Sequence, residues 1–241
     1  MIDFHSHILP GIDDGSKDAT DSVEMLVSLF ETGFDEVILS PHYYPDSQSI
    51  EAFSFDRAAS FEKLKEQIAK SETDKIPDLK IGCEVYLDPM LFSHNENKFY
   101  ELTLEKQGKI MLVEMEYTNE LSAFTIDALN KLIYNIGITP VLAHIDRYPF
   151  MYDERTLTKL LDIGCCAQIN VVSLNFPLKR HRLLKFLRKG YICAIGSDIH
   201  NISSIPEIKS GVEKLKGRDR YILSREAERM ENTNGIQTFF G

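Results

Sequence analysis

The sequence predicts one α/β domain built as a TIM-like barrel of seven strand–helix units. Three observations predict it. Seven short runs rich in Val and Ile alternate with amphipathic stretches along the chain. Nearly every run ends in a residue type that can ligate a metal, as active-site residues do at the C-terminal ends of parallel strands. The first and last runs both carry such residues, and a closed barrel brings those two strands together where an open sheet separates them. No Pro/Gly/Ser-rich linker interrupts the 241 residues, so residues 1–241 read as a single domain, with a tail from about 233 expected to be loosely held.

The elements follow in order. Ile2-Asp3-Phe4 opens the first strand. Val23, Leu26, Val27 and Phe30 have the i, i+3, i+4, i+7 spacing of a helix face, with Ser16 and Asp18 as candidate N-caps. Val37-Ile38-Leu39 is the second strand, Phe61, Leu64 and Ile68 mark a helix, and Leu79-Lys80-Ile81 is the third strand. The fourth is Ile110-Met111-Leu112-Val113; the stripe Ile126, Leu129, Ile133, Ile136 follows and ends near Gly137. Val141-Leu142-Ala143 precedes a helix at Leu157, Leu160 and Leu161. Ala167-Gln168-Ile169-Asn170-Val171 precedes one at Leu183, Leu184 and Leu187, closing before Gly190. Tyr191-Ile192-Cys193-Ala194-Ile195 is the seventh strand. Ile208, Val212 and Leu215 form a weaker stripe, and residues 224–232 read as a polar helix. Continuous apolar runs suit strands buried on both faces of a parallel sheet.

Composition narrows the function classes. The chain is 43% hydrophobic and 27% charged, as in ordinary globular proteins. Its net charge of −10 argues against a general nucleic-acid binder. Bound cations can reverse the field in one cleft, so an anionic substrate stays compatible. No apolar run approaches a membrane span, and the first residues lack the features of a signal peptide, so a cytoplasmic protein without membrane insertion is expected. The cysteines, Cys83, Cys165, Cys166 and Cys193, form no Cys-x-x-Cys pair and lie in or beside apolar runs. A cysteine phosphatase needs an arginine six places after its cysteine; the residues there are Pro89, Val171, Val172 and Ile199.

The chemistry gathers at the strand ends. His5 and His7, His42, Glu84, Glu114, His144, then Asp198 and His200 all stand there, with Asp14 in the first loop. Five of the seven histidines are strand-terminal, leaving His94 and His181 aside. Residues i and i+2 of an extended chain share a face, so both imidazoles of His5-Ser6-His7 are expected to point inward while Phe4 and Ile8 pack the other way. Asp198-Ile199-His200 repeats the pattern. Five histidines and four carboxylates are too many ligands for one ion and suggest two or three. Mixed nitrogen and oxygen ligation suits Mn²⁺, Fe²⁺ or Zn²⁺ in a hydrolytic cluster.

The segment His5-Ser6-His7-Ile8-Leu9-Pro10-Gly11-Ile12-Asp13-Asp14-Gly15 resembles the opening motif of the polymerase-and-histidinol-phosphatase (PHP) family, in its branch of bacterial capsular-polysaccharide tyrosine phosphatases of the CpsB/YwqE type. Ser40-Pro41-His42, Gly82-Cys83-Glu84, Leu112-Val113-Glu114, Ala143-His144-Ile145-Asp146-Arg147-Tyr148 and Gly196-Ser197-Asp198-Ile199-His200-Asn201 follow in the same order, so the resemblance runs to about residue 201. It implies a distorted PHP-type (β/α)7 barrel and a trinuclear centre, usually of manganese. His5, His7, Glu84 and Asp198 would hold one ion; Glu84, Glu114 and His144 the second; Asp14, His42 and His200 the third. Arg147 would bind phosphate. The substrate implied is phosphotyrosine on a bacterial tyrosine kinase of exopolysaccharide synthesis. The chain departs from the pattern in having no arginine in Ile202-Ser203-Ser204-Ile205-Pro206, which leaves Lys179, Arg180 or Arg182 as a second phosphate contact.

The expected mechanism follows from the ions. A bound metal lowers the pKa of water from about 15.7 towards 7, and the resulting hydroxide attacks phosphorus in line. The other ions and Arg147 neutralise the phosphoryl oxygens. A phenolate leaving group, with a pKa of about 10, needs little proton assistance. His42 or His200 could act as general acid only when free of metal, and that role stays open. The ions are expected to be Mn²⁺, with Fe²⁺, Zn²⁺ or Mg²⁺ as alternatives. Two other readings compete: a phosphatase of a small metabolite such as histidinol phosphate, and a catalytically silent metal-binding regulator.

Overall fold

The structure is a computed structural model that describes residues 1–104 and 109–232. The tail from about 233 lies outside the described residues. Among them are nine strands and seven α-helices. Strands β1 (Ile2–Ser6), β2 (Glu36–Leu39), β3 (His42–Tyr43), β4 (Asp78–Ile81), β5 (Glu84–Tyr86), β6 (Ile110–Glu114), β7 (Thr139–Leu142), β8 (Cys166–Asn170) and β9 (Ala194–Gly196) pair in parallel throughout. The ladders run β1-β2-β4 and β3-β5-β6-β7-β8-β9.

Nine strands replace the expected seven because two are interrupted. Ser40-Pro41 separates β2 from β3, and Gly82-Cys83 separates β4 from β5. Proline has no N–H to donate to a ladder. Pairing nevertheless crosses the gap: Gly82 N donates to Leu39 O at 2.9 Å and Glu84 N to Pro41 O at 3.0 Å. The parallel sheet curls, so β1 meets the segment after β9. Asp198 N donates to His5 O at 2.8 Å and His7 N to Ile199 O at 3.0 Å. Asp3, fully buried, ties the same seam by accepting from Ser197 N at 2.8 Å.

The helices are α1 (Ala19–Thr32), α2 (Ile50–Ser71), α3 (Ala123–Asn130), α4 (Glu154–Asp162), α5 (Pro177–Arg188), α6 (Ile205–Val212) and α7 (Gly217–Asn232). Asp18 caps α1, accepting from Thr20 N and Asp21 N. Ser16 does not cap it; its hydroxyl donates to Asp18 O and so braces the true cap. A π-helical segment, Lys131–Ile136, continues α3 as far as Gly137, which adopts φ 82°. The last strand starts three residues later than expected because Tyr191 N closes α5 on Phe186 O at 3.0 Å. Helix α7 starts at Gly217 and not at 224: Asp219, buried, receives the Nε and an Nη of Arg188 at 2.8 and 3.1 Å, which docks its first turn on α5.

The main core lies between the sheet and the helices, where Val37, Leu39, Val113, Leu142 and Ile169 meet Leu26, Leu64, Leu129 and Leu187. A smaller cluster of Phe4, Ile38, Leu112, Val141, Ala143 and Cys166 covers the other sheet face. Leu112 shares that face with Glu114 by strand alternation. Phe4 therefore packs on the side of the polar cluster, contrary to expectation, whereas Ile8 joins the main core. The β1–β2 register slips between Asp3 and Ser6, and such a bulge lets neighbouring residues share a face. All four cysteines are free and buried; burial pushes the Cys83 thiol up to about 12. No helix among the described residues is long and apolar enough to cross a membrane.

Candidate metal centre

The polar cluster sits at the C-terminal ends of the strands. His5 and His7 leave β1 side by side, with Nε2 atoms 3.0 Å apart. Two glycines allow this. A Cβ on Gly15 would stand 2.0 Å from His7 O, and one on Gly196 would stand 2.5 Å from the Cβ of His5. The first loop and β9 can thus press against the two histidines only if both positions lack side chains.

Glu84 is the hub. Its buried carboxylate lies 3.0 Å from His5 Nε2, 3.1 Å from His42 Nδ1, 3.4 Å from His7 Nε2 and 2.9 Å from His144 Nε2. Asp198 Oδ1 stands 3.5 Å from His7 Nε2 and 3.6 Å from both His5 Nε2 and His200 Nδ1. Glu114 reaches His144 Nε2 at 3.6 Å. Asp14 lies 3.7 Å from His42 Nε2 and 3.5 Å from His200 Nε2. All nine expected ligands therefore converge. His94 bonds Pro45 O and His181 is exposed, apart from the cluster.

Three sets have ligand atoms within 4.8 Å of one another: His5, His7 and Glu84; His7, Asp14, His42 and His200; and His42, Glu84 and Glu114. The cluster also leaves polar atoms unsatisfied. Glu84 Oε2 and His42 Nδ1 are buried and 3.1 Å apart, yet neither makes a hydrogen bond. Buried polar atoms normally find partners, and a cation held among them supplies one. His144 and Asp198 hold φ of 31° and 54°, left-handed values costly for residues with a Cβ. Both fall where a strand ends and its side chain turns into the cluster.

The field matches a cation. Burial alone would discharge Glu84, but His5, His144 and His7 hold its carboxyl well below the usual range. Burial likewise opposes the charge of His7, and Asp13, Asp198 and Glu84 overcome it, raising the imidazole well above its ordinary value. Glu114 is raised by burial and by the nearby charge of Glu84. A divalent ion placed here would take over the positive role and displace protons from the imidazoles.

Arg147 stands at the rim, its side chain 49% exposed, with an Nη 2.8 Å from Asp198 Oδ2. Of the three other candidate cations, Lys179 Nζ donates to Asp146 O at 3.1 Å, beside Arg147. Arg180 is drawn to Leu174 O, and Arg182 lies over the Tyr152 ring.

The family model for capsular polysaccharide synthesis, CpsB/CapC, matches residues 1–233. The chain belongs to the CpsB/CapC family. It is 28% identical over 215 residues to the tyrosine-protein phosphatase CpsB of Streptococcus pneumoniae, covering 86% of this chain and 85% of the relative. Over 248 residues it is 27% identical to the tyrosine-protein phosphatase YwqE of Bacillus subtilis, covering 95% and 90%. The putative tyrosine-protein phosphatase CapC of Staphylococcus aureus is 27% identical over 214 residues, covering 86% and 79%. Crystallographic work on YwqE and CpsB, described as unique metal-dependent tyrosine phosphatases, provides a chain that superposes with a TM-score of 0.76 at 22% identity, covering 98% and 96%; this likeness shows a shared fold.

In this CpsB/CapC-family chain several supporting residues escape a reading of strand ends. Asp13 accepts from His7 Nδ1 at 2.8 Å, from His42 N at 3.0 Å and from Gly15 N at 3.0 Å. An Asp two residues before a Gly is a recognisable turn signal, so Asp13 was findable beside Asp14. Gln168 accepts from His144 N at 2.6 Å and faces His5 Nδ1 at 3.4 Å, while Asn170 donates to Asp198 at 2.7 Å. Their strand, β8, reads as plain core in one dimension. A carboxylate behind a ligating histidine fixes its tautomer and raises its basicity. Asp13→Asn is therefore expected to weaken metal binding about 10- to 100-fold, measured by competition with a chelating dye.

Proposed function

We propose that this chain is a metal-dependent protein-tyrosine phosphatase whose nine converging ligands hold two or three divalent ions, Mn²⁺ foremost. The observation that carries this reading is the placement of His5, His7, His42 and His144 around the Glu84 carboxylate, inside a chain of the CpsB/CapC family. In this reading His5, His7, Glu84 and Asp198 hold one ion, Glu84, Glu114 and His144 a second, and Asp14, His42 and His200 a third. The fold is then a distorted barrel of seven βα units, with each broken strand counted once. The substrate is a phosphorylated tyrosine kinase of capsule synthesis, met in the cytoplasm.

When bound, such ions activate water at neutral pH and neutralise charge on phosphate. The chain's own residues supply the rest. Arg147 leaves Asp198 to grip two phosphoryl oxygens with its planar fork. Lys179 adds a point charge from the neighbouring turn. Asp13 and Gln168 hold His7 and His5 in place behind the ligand layer. His42 and His200, both within reach of Asp14, serve as ligands here, and the phenolate leaves without an assigned acid.

The test is turnover of a phosphotyrosine peptide beside histidinol phosphate. Chelation is expected to abolish hydrolysis of the peptide and Mn²⁺ to restore it, and a folded variant without the four cysteines should keep it. Preference for histidinol phosphate would favour the metabolite reading, and no turnover by the Mn²⁺-loaded protein would favour a silent regulator.

A further inference from the structure

The rim of the metal centre has two unlike sides. Arg147 and Lys179 form a cationic side. Strand register builds a second, aromatic side. His42 pairs with Glu84 across β3 and β5, and Tyr43 pairs with Val85. The next residues outward, Tyr44 and Tyr86, stand on the faces of His42 and Glu84 by the two-residue period of extended chain. They form a second layer above the ligand layer. Their rings meet with centroids 5.8 Å apart. Tyr44 also stacks on the His42 imidazole, centroids 5.2 Å apart and planes 28° from parallel.

Tyr44 is nevertheless 41% exposed. One face of the ring is thus fixed on a candidate metal ligand, while part of its surface is open to solvent. A phosphate drawn to the ligand layer and Arg147 leaves its ester group to pass the second layer on the way out. An aryl group is large enough to meet an aromatic wall in that layer, and a methyl group is not.

We propose that Tyr44, backed by Tyr86, is a specificity-determining wall that receives the aromatic ring of a phosphotyrosine and selects aryl over alkyl phosphate esters. This rests on the phosphatase reading above. The test uses the full-length Mn²⁺-loaded chain and two non-hydrolysable probes with the same head group, phenylphosphonate and methylphosphonate, titrated by calorimetry, with metal content measured alongside. Wild type should bind the phenyl probe more tightly. Tyr44→Ala should reduce the phenyl-over-methyl preference about 2- to 13-fold, the range expected for one aromatic pair. Tyr44→Phe should keep the preference, since the ring and not the hydroxyl makes the contact. An unchanged preference in Tyr44→Ala overturns the proposal. So does an equal loss for both probes, which would make Tyr44 a support for His42. If wild type binds neither probe, the phosphatase reading itself falls; if it binds both equally, only the wall does.

Discussion

Replacing Glu84 by alanine or glutamine is expected to lower kcat/KM on a phosphotyrosine peptide by at least about 10³-fold, equivalent to about 4 kcal/mol of transition-state stabilisation. The same change should remove more metal per chain than His42→Ala. Four imidazoles surround the two oxygens of this one carboxylate. The other carboxylates of the cluster meet fewer imidazoles: Asp198 three, Asp14 two and Glu114 one. His42, 13% exposed at the edge, meets Asp14 and Glu84. Removing Glu84 also takes the nearest carboxylate from His5 and His7, whose Nε2 atoms face each other at 3.0 Å, and leaves Asp198 at 3.6 and 3.5 Å to offset them. Glutamine keeps the volume but not the charge, so its failure would separate electrostatics from packing. The checks are steady-state kinetics and elemental analysis of matched preparations. Equal metal content in the Glu84 and His42 variants would remove Glu84 as the shared ligand.

Arg147→Ala should keep its metals and its fold, yet lose about 30- to 1000-fold in kcat/KM, or roughly 2–4 kcal/mol in the transition state. Its exposed guanidinium touches the cluster through Asp198, which Asn170 also holds at 2.7 Å. Asp198 therefore retains a partner when Arg147 is removed, and the metal shell should survive. Arg147→Lys should recover only part of the rate, because an ammonium cannot grip two oxygens in one plane. Double replacement of Arg147 and Lys179 should exceed either single change if both reach the phosphate. Kinetics and metal content are read together. Wild-type kcat/KM in Arg147→Ala removes the residue from the site, and loss of metal makes it structural.

The convergence of these histidines and carboxylates was legible because parallel strands deliver their C-terminal ends to one place. His5-Ser6-His7 and Asp198-Ile199-His200 carry the period-two pattern in the sequence, and the same period relates His42 to Tyr44 and Glu84 to Tyr86. Supporting residues were harder to see. Gln168 and Asn170 lie inside an otherwise apolar strand, and nothing local says that their side chains meet His5, His144 and Asp198. Asp13 and Asp14 are adjacent in the first loop, and only the fold shows which of the two carboxylates faces His7 Nδ1.

Sequence by itself determined the alternation of strands and helices, the cap at Asp18, the stop at Gly137 and the identity of the convergent histidines and carboxylates. These follow from short-range stereochemistry and from periodicity, which a linear chain carries in full. Tertiary structure decided where strands break at Ser40-Pro41 and Gly82-Cys83, how a slip in β1 turns both Phe4 and His5 toward the concave chemistry, and why Glu84 is the hub. Those outcomes depend on register between strands remote in sequence. A pairing offset by one residue reverses every face, and that offset is set by contacts such as Asp3 to Ser197, 194 residues apart.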